Sequence, residues 1–199
     1  MWKYRTPGIP DENFNQNSNV PGPTKEEIRV LTLAKARLCS GSLVVDVGCG
    51  TGGLTVEAAL QVAPTGKVFA LDENEAAIEL TKSNLAKFGV QNTVQLIHGK
   101  APQALDNLPE VDAFLIGGSR LLRDVIRVAH KKLVSQGRIV VNAILLETAV
   151  VAIDELRRLP FKEVDVTQVL VAKGTSVSSG VMMLARNPIT IISATKENR

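Results

Sequence analysis

Short apolar runs alternate with stretches of helical period through most of this sequence, and no other feature restricts its possible folds as much. Leu43–Val47, interrupted only by Asp46, reads as a buried strand, and the glycines after it open a helix running to about residue 63. The pattern repeats with a strand at 67–71, a helix over Glu75–Phe88 stopped by Gly89, and strands at 94–97 and Val111–Ile116. A helix at 121–133, a strand at 138–143 and a helix at 146–159 follow. Strands this apolar, separated by helices, imply a parallel sheet covered on both faces. The rhythm ends there. Residues 161–172 and 181–192 read as two more strands joined by the Gly/Ser/Thr connection 174–180, so they should pair antiparallel as a C-terminal hairpin.

At 199 residues the chain has the length of one domain, and 45% hydrophobic with 22% charged residues excludes a disordered or disulfide-stapled class. With 4% aromatics the core has to be built from Val, Ile, Leu and Ala. A formal charge of +3 permits an anionic partner without requiring nucleic acid. Cys39 and Cys49 give no disulfide framework, and the sequence shows neither a signal peptide nor a membrane-length apolar run, so a cytoplasmic protein with no membrane partner is expected. Residues 1–23 hold Pro7, Pro10, Pro21 and Pro23 and read as an arm without long regular elements. Its rings, Trp2, Tyr4 and Phe14, either fold over a site or a neighbouring subunit or belong to a mobile tail. From residue 24 a first helix is expected, with Thr24 and Glu27 as a capping box and Ile28, Leu31, Ala34 and Leu38 at helical spacing.

The chemistry is expected at Asp46-Val47-Gly48-Cys49-Gly50-Thr51-Gly52-Gly53, a strand-to-helix turn whose glycines let the backbone approach a ligand. Gly48, Gly50 and Gly53 also satisfy the dinucleotide fingerprint. Asp46 discriminates: its carboxylate would repel a pyrophosphate and attract a cationic ligand such as S-adenosylmethionine, which carries a sulfonium and an ammonium. Asp72 ends the second strand, where it can accept from both hydroxyls of a ribose or simply cap the helix from Glu75. Gly117-Gly118-Ser119 after the fourth strand lies where such sheets hold ligands, or is a tight turn. Arg120, Arg123, Arg127 and Lys131 share one helix face, either steering an anionic substrate or forming a solvated stripe. No metal is expected.

The glycine stretch and the C-terminal hairpin resemble the class I S-adenosylmethionine-dependent methyltransferases. This implies an α/β, three-layer Rossmann-like sheet, mostly parallel with an antiparallel hairpin, and the cofactor S-adenosyl-L-methionine. Further stretches resemble one branch, the cobalamin-pathway precorrin C15-methyltransferases that also decarboxylate the C12 acetate. They are Pro7-Gly8-Ile9-Pro10-Asp11, Val20-Pro21-Gly22-Pro23-Thr24, Gly117-Gly118-Ser119, Ala143 to Thr148, Met182-Met183 and Arg186-Asn187-Pro188. The resemblance implies cofactor contacts from the main chain of Thr24, from Asp46, from Gly48, Cys49, Gly50, Thr51 and Gly52, and from Asp72. Related enzymes often hold the adenine with an acid after the third strand; here Lys100 stands in that place, so the contact is assigned to the main chain of Ala101, with His98 as a structural residue. For the tetrapyrrole, Gly117, Gly118 and Ser119 would lie beside the methyl group, and Arg120 and Arg186 would meet carboxylates. Glu147 and Asn142 are the candidates for substrate positioning, Glu147 alternatively being an ordinary first-turn acid. The branch tends to self-associate, a tetramer being favoured, and this chain looks like its stand-alone type.

Two rival readings use the same turn. A methyltransferase acting on RNA or protein finds no support in added RNA-binding modules, in stacking aromatics beyond the arm, or in an Asp/Asn-Pro-Pro-aromatic motif. A non-catalytic NAD-binding domain would place pyrophosphate beside Asp46.

Overall fold

The structure, a computed structural model, describes Trp2, Tyr4 and residues 6–118 and 120–198. In chain order the elements are α1 (Glu26–Ala36), β1 (Leu43–Val47), α2 (Gly53–Val62), β2 (Lys67–Asp72), α3 (Glu75–Phe88), β3 (Val94–His98) and β4 (Val111–Ile116). They continue with α4 (Leu122–Lys132), β5 (Leu133–Ala143), α5 (Leu146–Arg158), β6 (Phe161–Val169), β7 (Ala172–Val177), β8 (Gly180–Ala185) and β9 (Ile189–Lys196). Seven strands form one sheet in the order β3-β2-β1-β4-β5-β9-β6, parallel except for β9, which runs antiparallel to both β5 and β6. The strand order reverses between β1 and β4, the place where open α/β sheets leave a crevice at their carboxyl ends.

Side-chain alternation along the strands divides the core between the two faces. Val45, Val47, Phe114 and Ile116 join the cluster covered by α4 and α5, and Val44, Ala113 and Leu115 join that covered by α1 and α2. This is the three-layer arrangement the alternation implies, and its core is aliphatic as the composition requires.

Three local expectations change. Thr24 and Glu27 form no capping box: the α1 helix begins after Lys25, without a side-chain cap from its own sequence, and Asp11 of the arm accepts from the Glu26 amide at 2.9 Å instead. The buried face of α1 is Ile28, Arg29, Thr32, Leu33 and Ala36; Ala34, read as inward, is exposed. Arg29 causes the rotation. Its guanidinium is fully buried, bonded to Glu57 at 2.7 Å, to Asp11 at 2.8 Å and to the carbonyls of Thr24 and Ile9. Third, the C-terminal region contains four strands. The edge pair is β6 with β9, and between them β7 and β8 form a separate two-stranded hairpin turning at Ser178 and Ser179.

The arm is a packed part of the domain. Ile9, Phe14 and Val20 are buried, the Phe14 ring centroid lies 5.0 Å from that of Phe88, and the Gly8 and Ile9 amides donate to the Glu57 carboxylate. It contains a single 3-10 turn, Asp11–Asn13, as its prolines dictate.

Candidate active site

The crevice at the β1/β4 reversal is a cavity of about 470 Å3 between the glycine turn, the loop after β4 and residues 20–24 of the arm. The turn is fixed before any ligand arrives. Gly48 and Cys49 donate their amides to Leu71 O, Gly50 N donates to Asp72 Oδ2 at 3.0 Å, and Thr81 Oγ1 and Asn84 Nδ2 donate to the carbonyls of Gly50 and Thr51. Gly48, at φ 76°, passes so close to the β4 loop that a Cβ would meet Gly118 O at 3.0 Å, and Gly52, at φ 82°, abuts Thr81. A ligand therefore meets backbone held in one conformation, which lowers the ordering cost of binding.

Asp46 is the buried acid of this cavity. Its Oδ2 accepts from Thr55 Oγ1 at 2.5 Å, and desolvation, opposed by that bond and assisted by the nearby Asp72 charge, raises its pKa to about 6. At neutral pH it is mostly a buried anion with no ion pair among the described residues, an environment a sulfonium or ammonium would relieve. Burial pushes the Cys49 thiol up to about 12, so Cys49 serves through its backbone and not as a nucleophile. Asp72 does not cap α3: Asn74 does, accepting from the Ala76 amide, while Asp72 accepts from the Gly50 and Asn74 amides. A carboxylate offers about four lone-pair sites, so room for two hydroxyl donors remains.

The expected residues do not all converge. Thr24, Asp46, Gly48, Cys49, Gly50, Thr51, Asp72, Gly117, Gly118 and Asn142 line the main cavity, and Gly52 caps α2 beside it. Ala101 lines an adjoining cavity of about 180 Å3 with Gly48, Asp72, Gly118 and Arg120. His98 bonds its Nε2 to Glu73 O at 3.2 Å, a structural position. Glu147 is separated from Asn142: it lies in a third, shallow cleft of about 340 Å3 with Arg120, because α5 carries it outward from the strand end. Arg186 lines none of the three; it is held 3.0 Å from Glu27 and 3.7 Å from Asp11. The basic stripe steers little, since Arg123 and Arg127 bridge to Asp154 and Glu155 on α5. Ser119 falls outside the described residues.

Sequence reasoning missed the wall and what holds it. Val20, Pro21, Gly22 and Pro23 close one side of the cavity, tied by Thr51 Oγ1 to Pro21 O at 2.8 Å and by Arg29 to Thr24 O. The signal was present: Arg29 falls at helical spacing with Thr32, Leu33 and Ala36, a charge within an otherwise buried stripe.

The geometry suits S-adenosylmethionine: flexible glycines frozen in place, an uncompensated buried carboxylate, and a second acid at the end of β2. Comparison with known proteins points the same way. The family model for the precorrin methyltransferase domain matches residues 13–196. A protein of Sulfurisphaera tokodaii named "Probable cobalt-precorrin-6B C(15)-methyltransferase (decarboxylating)" is 49% identical over 189 residues, 94% of this chain and 97% of that one. Among solved structures, precorrin 8W decarboxylase of Methanobacterium thermoautotrophicum is 41% identical, covering 94% of this chain and 98% of its own, with a TM-score of 0.89. Precorrin-6y C5,15-methyltransferase of Geobacter metallireducens is 35% identical, covering 97% and 100%, also with a TM-score of 0.89.

Proposed function

This chain belongs to the precorrin methyltransferase family, and on that footing we propose that it transfers a methyl group to C15 of cobalt-precorrin-6B and removes the C12 acetate carboxyl as CO2. The single observation that carries the cofactor assignment is Asp46, a buried carboxylate lining the cavity with the glycine turn and forming no ion pair among the described residues. S-adenosylmethionine, when bound, supplies an electrophilic methyl on a sulfonium. The chain's residues hold and orient it. Asp46 offers negative charge in the cavity, Asp72 accepts from the ribose hydroxyls, the Ala101 main chain borders the adenine, and the Thr24 carbonyl, already accepting from Arg29, has a second lone pair for the cofactor. Residues 20–24 and the loop 117–118 exclude water around the reacting carbon. Neither step asks the chain for a strong base, because C15 of the reduced ring is itself the nucleophile and the conjugated macrocycle accepts the electrons left by CO2. Asn142, inside the cavity, is the positioning residue this reading favours; Glu147 and Arg120 line the outer cleft.

Incubation with cobalt-precorrin-6B and S-adenosylmethionine, followed by mass spectrometry, tests the assignment. A gain of CH2 with loss of CO2 is expected; gain without loss would remove the decarboxylase half, and stabilisation by NAD but not by S-adenosylhomocysteine would remove the cofactor.

Self-association belongs to the same reading, with the exposed β7–β8 hairpin as the contact and a tetramer as the assembly. So does residence in the cytoplasm, in keeping with Cys39 and Cys49 both being free thiols. No helix among the described residues is long and apolar enough to cross a membrane.

A further inference from the structure

Resting on the assignment of a tetrapyrrole substrate, we infer that the macrocycle lies on a shelf of Ile144, Leu145, Leu146 and Val150 where β5 passes into α5, with Arg120 pairing to one of its peripheral carboxylates. These four aliphatic side chains are 64–70% exposed. Leu146 and Val150, four residues apart, share one face of α5, and Ile144 and Leu145 stand in the bend that leads into it, so exposed aliphatic side chains concentrate at this end of the helix, and such a concentration marks a contact site.

Three observations identify what lies there. The shelf opens onto the cofactor cavity, since Ile144 lines it together with Gly117 and Asn142. Asn142 is 91% buried and half satisfied: its exposure is 9%, Thr32 Oγ1 lies 3.1 Å from its Oδ1, and its Nδ2 has no partner. Thr32 has one hydroxyl proton, and Ile28 O, 2.7 Å away, is placed to take it. Whichever way the amide is turned, Thr32 serves one end and the other is left for a ligand in the cavity.

The outer edge of the shelf is suited to anions. Arg120 lines both smaller cavities and has no ion pair among the described residues, unlike Arg123 and Arg127. The first turns of α4 and α5, neither with a side-chain cap, flank the same cleft. Two acids also line it; Asp124 is paired with Arg127, and Glu147 is the one that sets a limit on how closely a carboxylate approaches. An apolar floor with a cationic rim is the complement of a flat ring whose carboxylates are at its edge.

The test compares wild type, Leu145→Asp/Leu146→Asp and Arg120→Gln in steady-state turnover of cobalt-precorrin-6B, with S-adenosylhomocysteine calorimetry, melting temperature and sedimentation on each. All three side chains are exposed, so folding is not at risk. The double variant is expected to raise KM for the tetrapyrrole about tenfold or more with cofactor affinity and subunit number unchanged, and Arg120→Gln to raise it about tenfold, the worth of one charged hydrogen bond, with subunit number unchanged. Unchanged KM in both variants alongside normal wild-type turnover would overturn the shelf and leave the enzymatic assignment intact. A change of subunit number with KM preserved would assign the shelf to a second copy of the chain and likewise overturn it. Wild type that leaves cobalt-precorrin-6B untouched overturns the assignment itself, and the inference with it.

Discussion

Asp46 sets function against stability within one side chain. Its folded pKa of about 6 stands above the ordinary 3.8, so the fold prefers its protonated form. The stabilisation that goes with this preference is complete below about pH 4 and is lost as pH rises through 6, where the carboxylate ionises in a buried site. Asp46→Asn is therefore expected to melt higher than wild type at pH 8, with the difference vanishing near pH 4, as scanning calorimetry would show. The sign reverses for ligand binding. A cation beside Asp46 favours the ionised form, so wild-type affinity for S-adenosylmethionine should fall as pH drops below 6, while Asp46→Asn binds at least about tenfold more weakly at pH 7.5 and shows no such dependence. Titration calorimetry across that range decides it; a flat wild-type profile would sink the electrostatic account. Asp46 was readable in the sequence because it precedes the glycines in an otherwise apolar strand. Its partner Thr55 was not, since a hydroxyl in the first turn of a helix, two residues past the last glycine, gives no pattern until β1 and α2 are packed together.

At the scale of elements, the legible parts were those whose burial repeats along the chain. Glu75–Phe88 and Val111–Ile116 have the bounds read from the sequence because the helix presents one periodic apolar face, the strand is an apolar run broken only by Asp112 and buried on both faces, and each ends at a glycine, Gly89 at φ 71° for the helix and Gly117 for the strand. The start of α1 was misread, and the arm stayed open between a packed segment and a mobile tail, for one reason: their stability comes from residues far apart in sequence. Asp11 caps α1 from 15 positions upstream, and Arg29 gathers Asp11, Glu57 and the carbonyls of Ile9 and Thr24 into one buried cluster. Removing one partner of such a cluster leaves charge buried without compensation. Arg29→Met is expected to cost about 3–5 kcal/mol in urea denaturation. Thr51→Val makes a milder cut. It removes only the hydrogen bond from the glycine turn to Pro21 O, worth about 1 kcal/mol. Because residues 20–23 wall the cofactor cavity, the S-adenosylhomocysteine dissociation constant should rise about fivefold while the melting temperature falls by only about 2–4 °C. An equal affinity in the two proteins would show that the arm covers the cavity without shaping it.

For the whole molecule, the β7–β8 hairpin is the part that this chain's own core does not explain. It is two-stranded, and a hairpin of that kind is marginal in water unless something covers it. Nearly every residue along it is exposed, including Val181 at 70%, Met182 at 48%, Met183 at 61% and Leu184 at 48%, so both of its faces are apolar and open. That exposure also hid its first strand in the sequence: with no buried face, Gly174, Thr175 and Ser176 read as loop, while β8 reads together with the residues after it as one strand over 181–192. Its base is anchored, by Lys173 to Glu26 and Glu27 and by Arg186 to Glu27, all to the start of α1, whose neighbouring residues Thr24, Lys25 and Ile28 line the cofactor cavity. Contact between hairpins of different copies would cover both faces and at the same time fix that end of α1. Val181→Glu/Met183→Glu places two charges on one face of β8, where each side chain points the same way over Gly174. Sedimentation is expected to show a smaller assembly than wild type, together with a weaker affinity for S-adenosylhomocysteine that rises again with protein concentration. A variant that keeps the wild-type subunit number would remove the hairpin from the interface; one that dissociates while binding the cofactor normally would cut the link between assembly and the cavity wall.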